Sequence, residues 1–180
     1  MIDFSFSNKL PIYKQSEMAE CGLACIAMIS TYFGHKIDLA YLRQHAAVTS
    51  KGLTLTDMTS IAESLGMTGR AFQCPIEELD KLQEPTILHW DMNHFVVLVK
   101  TTSKGAVIHD PARGKRFVSN KELDDNYTGV TLQLSPTEDF AQRNDLSKLS
   151  LSVLWSKIRH FKRNIAKIIA LSIVVQIVTL

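Results

Sequence analysis

The feature that most constrains this chain is a change of hydrophobic period near residue 85. Before it, apolar residues recur at helical spacing; after it, they fall in short runs of period two between turn residues. The first part reads as helices over 16–33, closed by Gly34 as a left-handed cap, over 38–45, from a cap at Thr56 through Ser64, stopped by Gly66, and from Pro75 through Leu82. The second part reads as strands at 86–90, 94–100, 105–110, 115–119 and 129–134. A short helix interrupts them, opened by Ser119 and Glu122 as a capping box and running to about Asn126. Helices first and hairpin-linked strands second predict an α+β fold, with the helices packed on an antiparallel sheet.

Composition sets the limits around that pattern. A chain of 180 residues with 46% apolar and 21% charged residues can bury a core, which excludes a disordered or collagen-like chain. The net charge of +2, from 20 basic and 18 acidic residues, excludes a chain-wide nucleic-acid surface, so no nucleic-acid partner is expected. Three cysteines, an odd number, and no secretory signal at the N-terminus argue for a reducing compartment, the cytoplasm. Cys21 and Cys25 do not have the C-x₂-C spacing of a structural zinc site, no H-E-x-x-H pattern occurs, and there is no P-loop run. No metal and no cofactor is therefore expected in this chain.

The C-terminal part has a different character. Residues 136–150 are polar and read as a linker or surface arm. Residues 151–167 are amphipathic, with Leu154, Ile158, Phe161 and Ile165 on one side and bases on the other, which suits a helix along a membrane surface. A coiled or core-packed helix has the same periodicity. Residues 168–180 carry no charge; as a helix they would extend roughly 20 Å, against a hydrocarbon core of about 30 Å. Lys157, Arg159, Lys162, Arg163 and Lys167 precede them, and no acidic residue follows Asp145. This bias places the preceding chain on the cytoplasmic side of a membrane, with 168–180 as the start of a first, truncated transmembrane helix. A buried core helix is the alternative.

Chemistry concentrates at three places. Cys21 and Gly22 stand at the start of a helix, where backbone N–H groups and the helix dipole favour a thiolate, although a free cysteine is also a common core residue. His94 begins one strand and Asp110 ends the next. With a hairpin loop at 101–104, partners sum to about 205, so the two are cross-strand neighbours within a residue of register, unless they form only a solvated surface pair. A carboxylate beside an imidazole fixes its tautomer and steadies its charged form. Cysteine on a helix facing histidine and carboxylate on a sheet is a papain-type arrangement. Gln15, six residues before Cys21, is placed to pair its amide with the Cys21 N–H as an oxyanion hole.

The motifs Gln15-x-x-Glu-x-x-Cys21-Gly22-x-Ala24-Cys25, Asn93-His94-Phe95-Val96-Val97 and Asp110-Pro111-Ala-x-Gly114 resemble the cysteine-peptidase domain of peptidase-containing ABC transporters of the colicin V and microcin secretion type. The resemblance runs over about residues 8–135 in order and spacing. It implies a papain-like peptidase domain over 1–135 that cleaves a leader after a Gly-Gly pair, coupled to export of the rest of the precursor peptide. In that reading Cys21 is the nucleophile, His94 the general base and acid, Asp110 the orienting carboxylate, Gln15 the oxyanion donor and Cys25 a second, non-catalytic cysteine. It further implies a bacterial inner membrane as setting, a homodimer as the full transporter, and ATP with magnesium in a nucleotide-binding domain outside this chain. Glu20 departs from the family, in which Asp often precedes the nucleophile. Relatives without the nucleophile only dock substrate, and a membrane-anchor fragment without activity is a further alternative. For a leader groove, Tyr41, Leu53 and Phe72 are candidates that equally suit a core.

Overall fold

A computed structural model describes residues 9–45, 52–82, 85–146 and 161–179. They form two compact units, residues 1–147 and 148–180.

In the first unit, helices α1 (Cys21–Phe33), α2 (Leu39–His45) and α3 (Leu55–Ser64) precede the strands β1 (Met67–Gln73), β2 (Thr86–Trp90), β3 (His94–Thr102), β4 (Gly105–Asp110) and β5 (Gly114–Ser119). Helix α4 (Asn120–Asn126) and strand β6 (Tyr127–Pro136) follow. The sheet has six strands in the order β1-β6-β2-β3-β4-β5, and every neighbouring pair is antiparallel. This is the expected α+β arrangement.

Helix α1 is apolar on all sides, so it belongs inside. Every residue from Leu23 to Ile29 has zero exposure, and each large side chain among them contributes about 1.5–3 kcal/mol by leaving water. The helix lies among Phe95, Val97, Ile87, Leu132 and Leu134 of the sheet and Leu42, Met58 and Ala62 of its neighbours. A second cluster, built on Leu88, Val96, Leu98, Ala106 and Ile108, packs with Leu79 and Leu123. The middle strands are thus buried on both sides, which is why β2 and β3 read as near-continuous apolar runs.

Gly34 ends α1 at φ +108°, its N–H on the carbonyls of Ser30 and Thr31, as expected of a left-handed cap. Several boundaries differ from the sequence reading. Helix α1 starts at Cys21, because residues 18–20 form a separate 3-10 turn. Helix α3 is capped by Thr54 and not Thr56, because Asp57 closes a reciprocal capping box with Thr54. The stretch after Pro75 is a 3-10 helix, Ile76–Lys81. Strand β1 is an addition. Its sequence, Met-Thr-Gly-Arg-Ala-Phe-Gln, lacks strand periodicity because it lies at the sheet edge and is largely exposed.

The polar stretch expected as a linker is tied down through Asp145. After β6 the chain passes Gly66, whose carbonyl accepts from the Thr137 N–H and hydroxyl. It then reaches the end of α1, where the Lys36 N–H donates to the Arg143 carbonyl and the Asp145 N–H to the Lys36 carbonyl. The fully buried His35 places Nε2 3.0 Å from Asp145 Oδ2, and Phe140 packs edge-on against Phe33 and His35.

Among the described residues, the second unit contains the helix Phe161–Val178, whose described side chains are exposed. Among the described residues no helix is long and apolar enough to cross a membrane. The first ten residues of the expected amphipathic segment, 151–160, lie outside the described residues.

Candidate active site

Three elements converge on the site. The first residue of α1 is Cys21, the first of β3 is His94 and the last of β4 is Asp110. His94 Nε2 lies 2.9 Å from Asp110 Oδ1. The Asp110 side chain is 3% exposed and that of His94 18%, so the carboxylate is sealed while the ring keeps an open edge.

The register that brings them together differs from the one expected. The β3–β4 hairpin turns on Ser103 and Lys104 alone, and Thr102 pairs with Gly105. A bulge between Leu98 and Lys100 then shifts the register, so that Leu98 pairs with Ile108 and Val97 with His109. Continued by one residue, Val96 faces Asp110. His94 is therefore the diagonal neighbour of Asp110 on the same sheet face, a separation that side chains of this length bridge.

Asp110 is held from several sides. Its Oδ1 also accepts from the backbone N–H of Ala112 (2.8 Å) and Arg113 (3.3 Å). Arg116 Nε lies 3.4 Å from its Oδ2, while Nη1 of the same guanidinium reaches Glu122 at 2.6 Å and the group sits over the Trp90 ring. Burial by itself raises the Asp110 carboxyl, but the bonds from His94, Ala112 and Arg113 hold it below the usual carboxylate range. Burial likewise works against a charged His94. Hydrogen bonding to Asp110 and to Cys21, with the charge of both, outweighs it and raises the ring to about 9. With Nε2 committed to Asp110, Nδ1 is the ring atom left for the thiol.

Cys25, one turn into α1, has no exposure, and burial pushes its thiol well up. Burial also raises Cys74. Of the three cysteines, only Cys21 acts on the imidazole.

Gln15 borders the same site. Its backbone N–H donates to the Pro111 carbonyl at 3.0 Å, pinning it beside Asp110, and its buried Oε1 has no hydrogen-bond partner among the described residues. Two cavities flank the dyad. One of about 250 Å³ is lined by Gln15, His94, Asp110 and Arg116, and one of about 500 Å³ by Cys21, Leu53, His89 and Phe95. Met18 and Asn93 border both. Of the three groove candidates, Leu53 lines the cavity at the thiol. Tyr41 stacks on His45 away from it, and Phe72 packs on the second core cluster under the Arg70 guanidinium.

The sequence reading missed Arg116, which ion-pairs with the carboxylate, Trp90 under its guanidinium, and the backbone conformation of the turn before His94. There Asp91 and Met92 adopt φ +48° and +62°, uncommon values for residues with side chains and typical of strained backbone at functional sites. The Asp91-Met92 pair is not of the Asn-Gly kind, so the sequence marks a turn there without marking its left-handed conformation.

Known proteins resemble this architecture. Residues 9–139 match the model of the Peptidase C39 family. The chain is 43% identical over its whole length to the colicin V secretion/processing ATP-binding protein of Escherichia coli, covering 26% of that protein. It is 41% identical over 99% of its length to the probable microcin-H47 secretion/processing ATP-binding protein of the same species, again covering 26%. The chain thus spans about a quarter of the length of these relatives. Among solved structures, it is similar to a double-glycine-motif protease from an AMS/PCAT transporter in complex with the leader peptide. That match has a TM-score of 0.67 and 34% identity, and covers 72% of this chain and 93% of that one. The peptidase domain of a Streptococcus bi-functional ABC transporter shares the fold at a TM-score of 0.66 and 22% identity, covering 72% of this chain and all of that one.

Proposed function

The chain belongs to the Peptidase C39 family, and from that premise we propose that it is a cysteine endopeptidase that cuts the leader from a bacteriocin-like precursor peptide after a Gly-Gly pair. The observation that carries this reading is the His94 imidazole, held by Asp110 on one nitrogen and acted on by Cys21 at the head of α1.

The chemistry follows from the geometry. The Cys21 sulfur, paired with protonated His94, attacks the carbonyl carbon of the second glycine. The carbonyl oxygen becomes an oxyanion that accepts from the Gln15 side-chain amide and the Cys21 N–H. The C–N bond breaks and His94 passes its proton to the leaving amine. Water, deprotonated by His94, then attacks the thioester, and the C–S bond breaks to release the leader and leave the sulfur paired with protonated His94 again. Asp110 stays ionised throughout and holds the ring in one orientation.

The longer relatives are named ATP-binding secretion proteins, so the peptidase reads as one part of a dimeric transporter in the bacterial inner membrane. In that assembly ATP and magnesium belong to a nucleotide-binding domain outside this chain, and the peptidase faces the cytoplasm.

Incubation with a double-glycine leader peptide tests the reading. The unmodified chain is expected to cut after the second glycine, and Cys21→Ala to leave the peptide intact. Binding without cutting by the unmodified chain would favour a docking domain instead.

A further inference from the structure

Glu20 precedes the nucleophile and is 5% exposed, an unusual place for a carboxylate. Its Oε2 accepts from the backbone N–H of Ser16 at 2.9 Å and of Glu17 at 3.1 Å. Arg43, from the adjacent α2, grips it with Nε at 2.5 Å from Oε1 and Nη2 at 3.0 Å from Oε2. The carboxylate therefore folds back over the 3-10 turn at 18–20 onto the residue that follows Gln15.

That path joins the two donors assigned to the oxyanion. Gln15 is fixed at its own N–H by Pro111 and at the next two amides by Glu20. The Cys21 N–H follows Glu20 directly in the chain. We propose that Glu20 is a positioning residue that sets the spacing of the Gln15 amide and the Cys21 N–H, with Arg43 neutralising its charge beside the developing oxyanion. This rests on the peptidase reading above. The charge argument is Coulombic: an unpaired buried carboxylate here would oppose a second negative charge nearby, and a two-pronged guanidinium removes that opposition. The Arg43 bonds, working against burial, hold the Glu20 carboxyl at about 2, so it stays ionised across the neutral range.

The test separates the oxyanion hole from the thiol. Glu20→Gln in the full chain is expected to lower kcat for a double-glycine leader peptide about tenfold or more, with KM within about twofold. A leader peptide ending at the second glycine as an aldehyde adds the thiol across its C=O and places that oxygen in the hole. Its affinity is expected to fall in parallel with kcat. Alkylation of Cys21 by iodoacetamide displaces iodide without any oxyanion, and its rate is expected to stay within about twofold. Arg43→Met leaves the two backbone bonds to Glu20 in place and serves if Glu20→Gln fails to fold; a smaller, parallel fall in kcat and aldehyde affinity is expected.

Unchanged kcat in folded variants would overturn the proposal. So would a fall in which KM and alkylation move with kcat, since that is the pattern of general damage. If the unmodified chain does not cut the peptide, the peptidase reading fails, and aldehyde affinity still decides the role of Glu20. If it binds no aldehyde either, both fall.

Discussion

His94 and Asp110 share one face of the sheet because β3 carries an extra residue, Val99, between them and the hairpin turn. Without that bulge, the register set at the turn would put Val97 opposite Asp110 and aim His94 at the other face, since a one-residue slip inverts every side chain. A single unpaired residue in the strand thus makes the 2.9 Å contact possible.

Replacing Asp110 by Asn keeps an acceptor for the ring but removes the charge. The alkaline limb of kcat/KM is expected near pH 9 in the unmodified chain, where His94 loses its proton, and at lower pH in Asp110→Asn, with a fall of about 10²-fold or more at the optimum. The linkage to stability has a definite sign. His94 is raised in the fold, so its contribution is fully present below its unfolded value of 6.5 and is lost as pH rises through about 9. Asp110 is lowered, so its contribution is present above 3.8 and is lost as pH falls through its folded value. A pH–rate profile and denaturation curves across this range check both.

The three thiols should separate cleanly under iodoacetamide at mildly acidic pH. Burial raises Cys25 and Cys74, whereas Cys21 lines the cavity of about 500 Å³ beside the His94 ring. Peptide mapping is expected to find Cys21 modified at least about tenfold faster than either of the others; equal labelling would contradict its role as the nucleophile.

Gln15→Ala removes one oxyanion donor. The loss expected in kcat is about 10²–10³-fold, with KM little changed, because the donor acts on the transition state. Steady-state kinetics on the leader peptide read both constants.

Asp145→Ala cuts the tie to the buried His35, whose Nδ1 already has no hydrogen-bond partner among the described residues. Leaving Nε2 unsatisfied as well is expected to cost about 1–3 kcal/mol in urea denaturation, with kcat unchanged. Asp145→Asn, which keeps the acceptor, should recover most of it.

The sequence made α1 legible through its all-apolar run and its glycine cap, and made the central strands legible through their lengths and turns. His94 and Asp110 were legible as neighbours because a hairpin is a local object, although its loop is two residues instead of four and the bulge shifts the register by one. The rest depends on distant pairing. Strand β1 exists because β6 and α3 cover it, while its own residues show no strand periodicity. Nothing near Glu20 announces Arg43, which lies 23 residues away, and nothing near His35 announces Asp145, which lies 110 away. Partners so remote leave no periodic trace in the chain.

The clasp of His35 on Asp145 also has a mechanical consequence. Helix α1 holds the thiol at its first turn and, just past its last, the point where the chain leaves the first compact unit; 13 residues make that rod about 20 Å long. Tension applied beyond Asp145 meets the clasp before it meets the cleft. The load enters at the end of α1 away from Cys21, so pulling on the exit strains the anchor ahead of the chemistry.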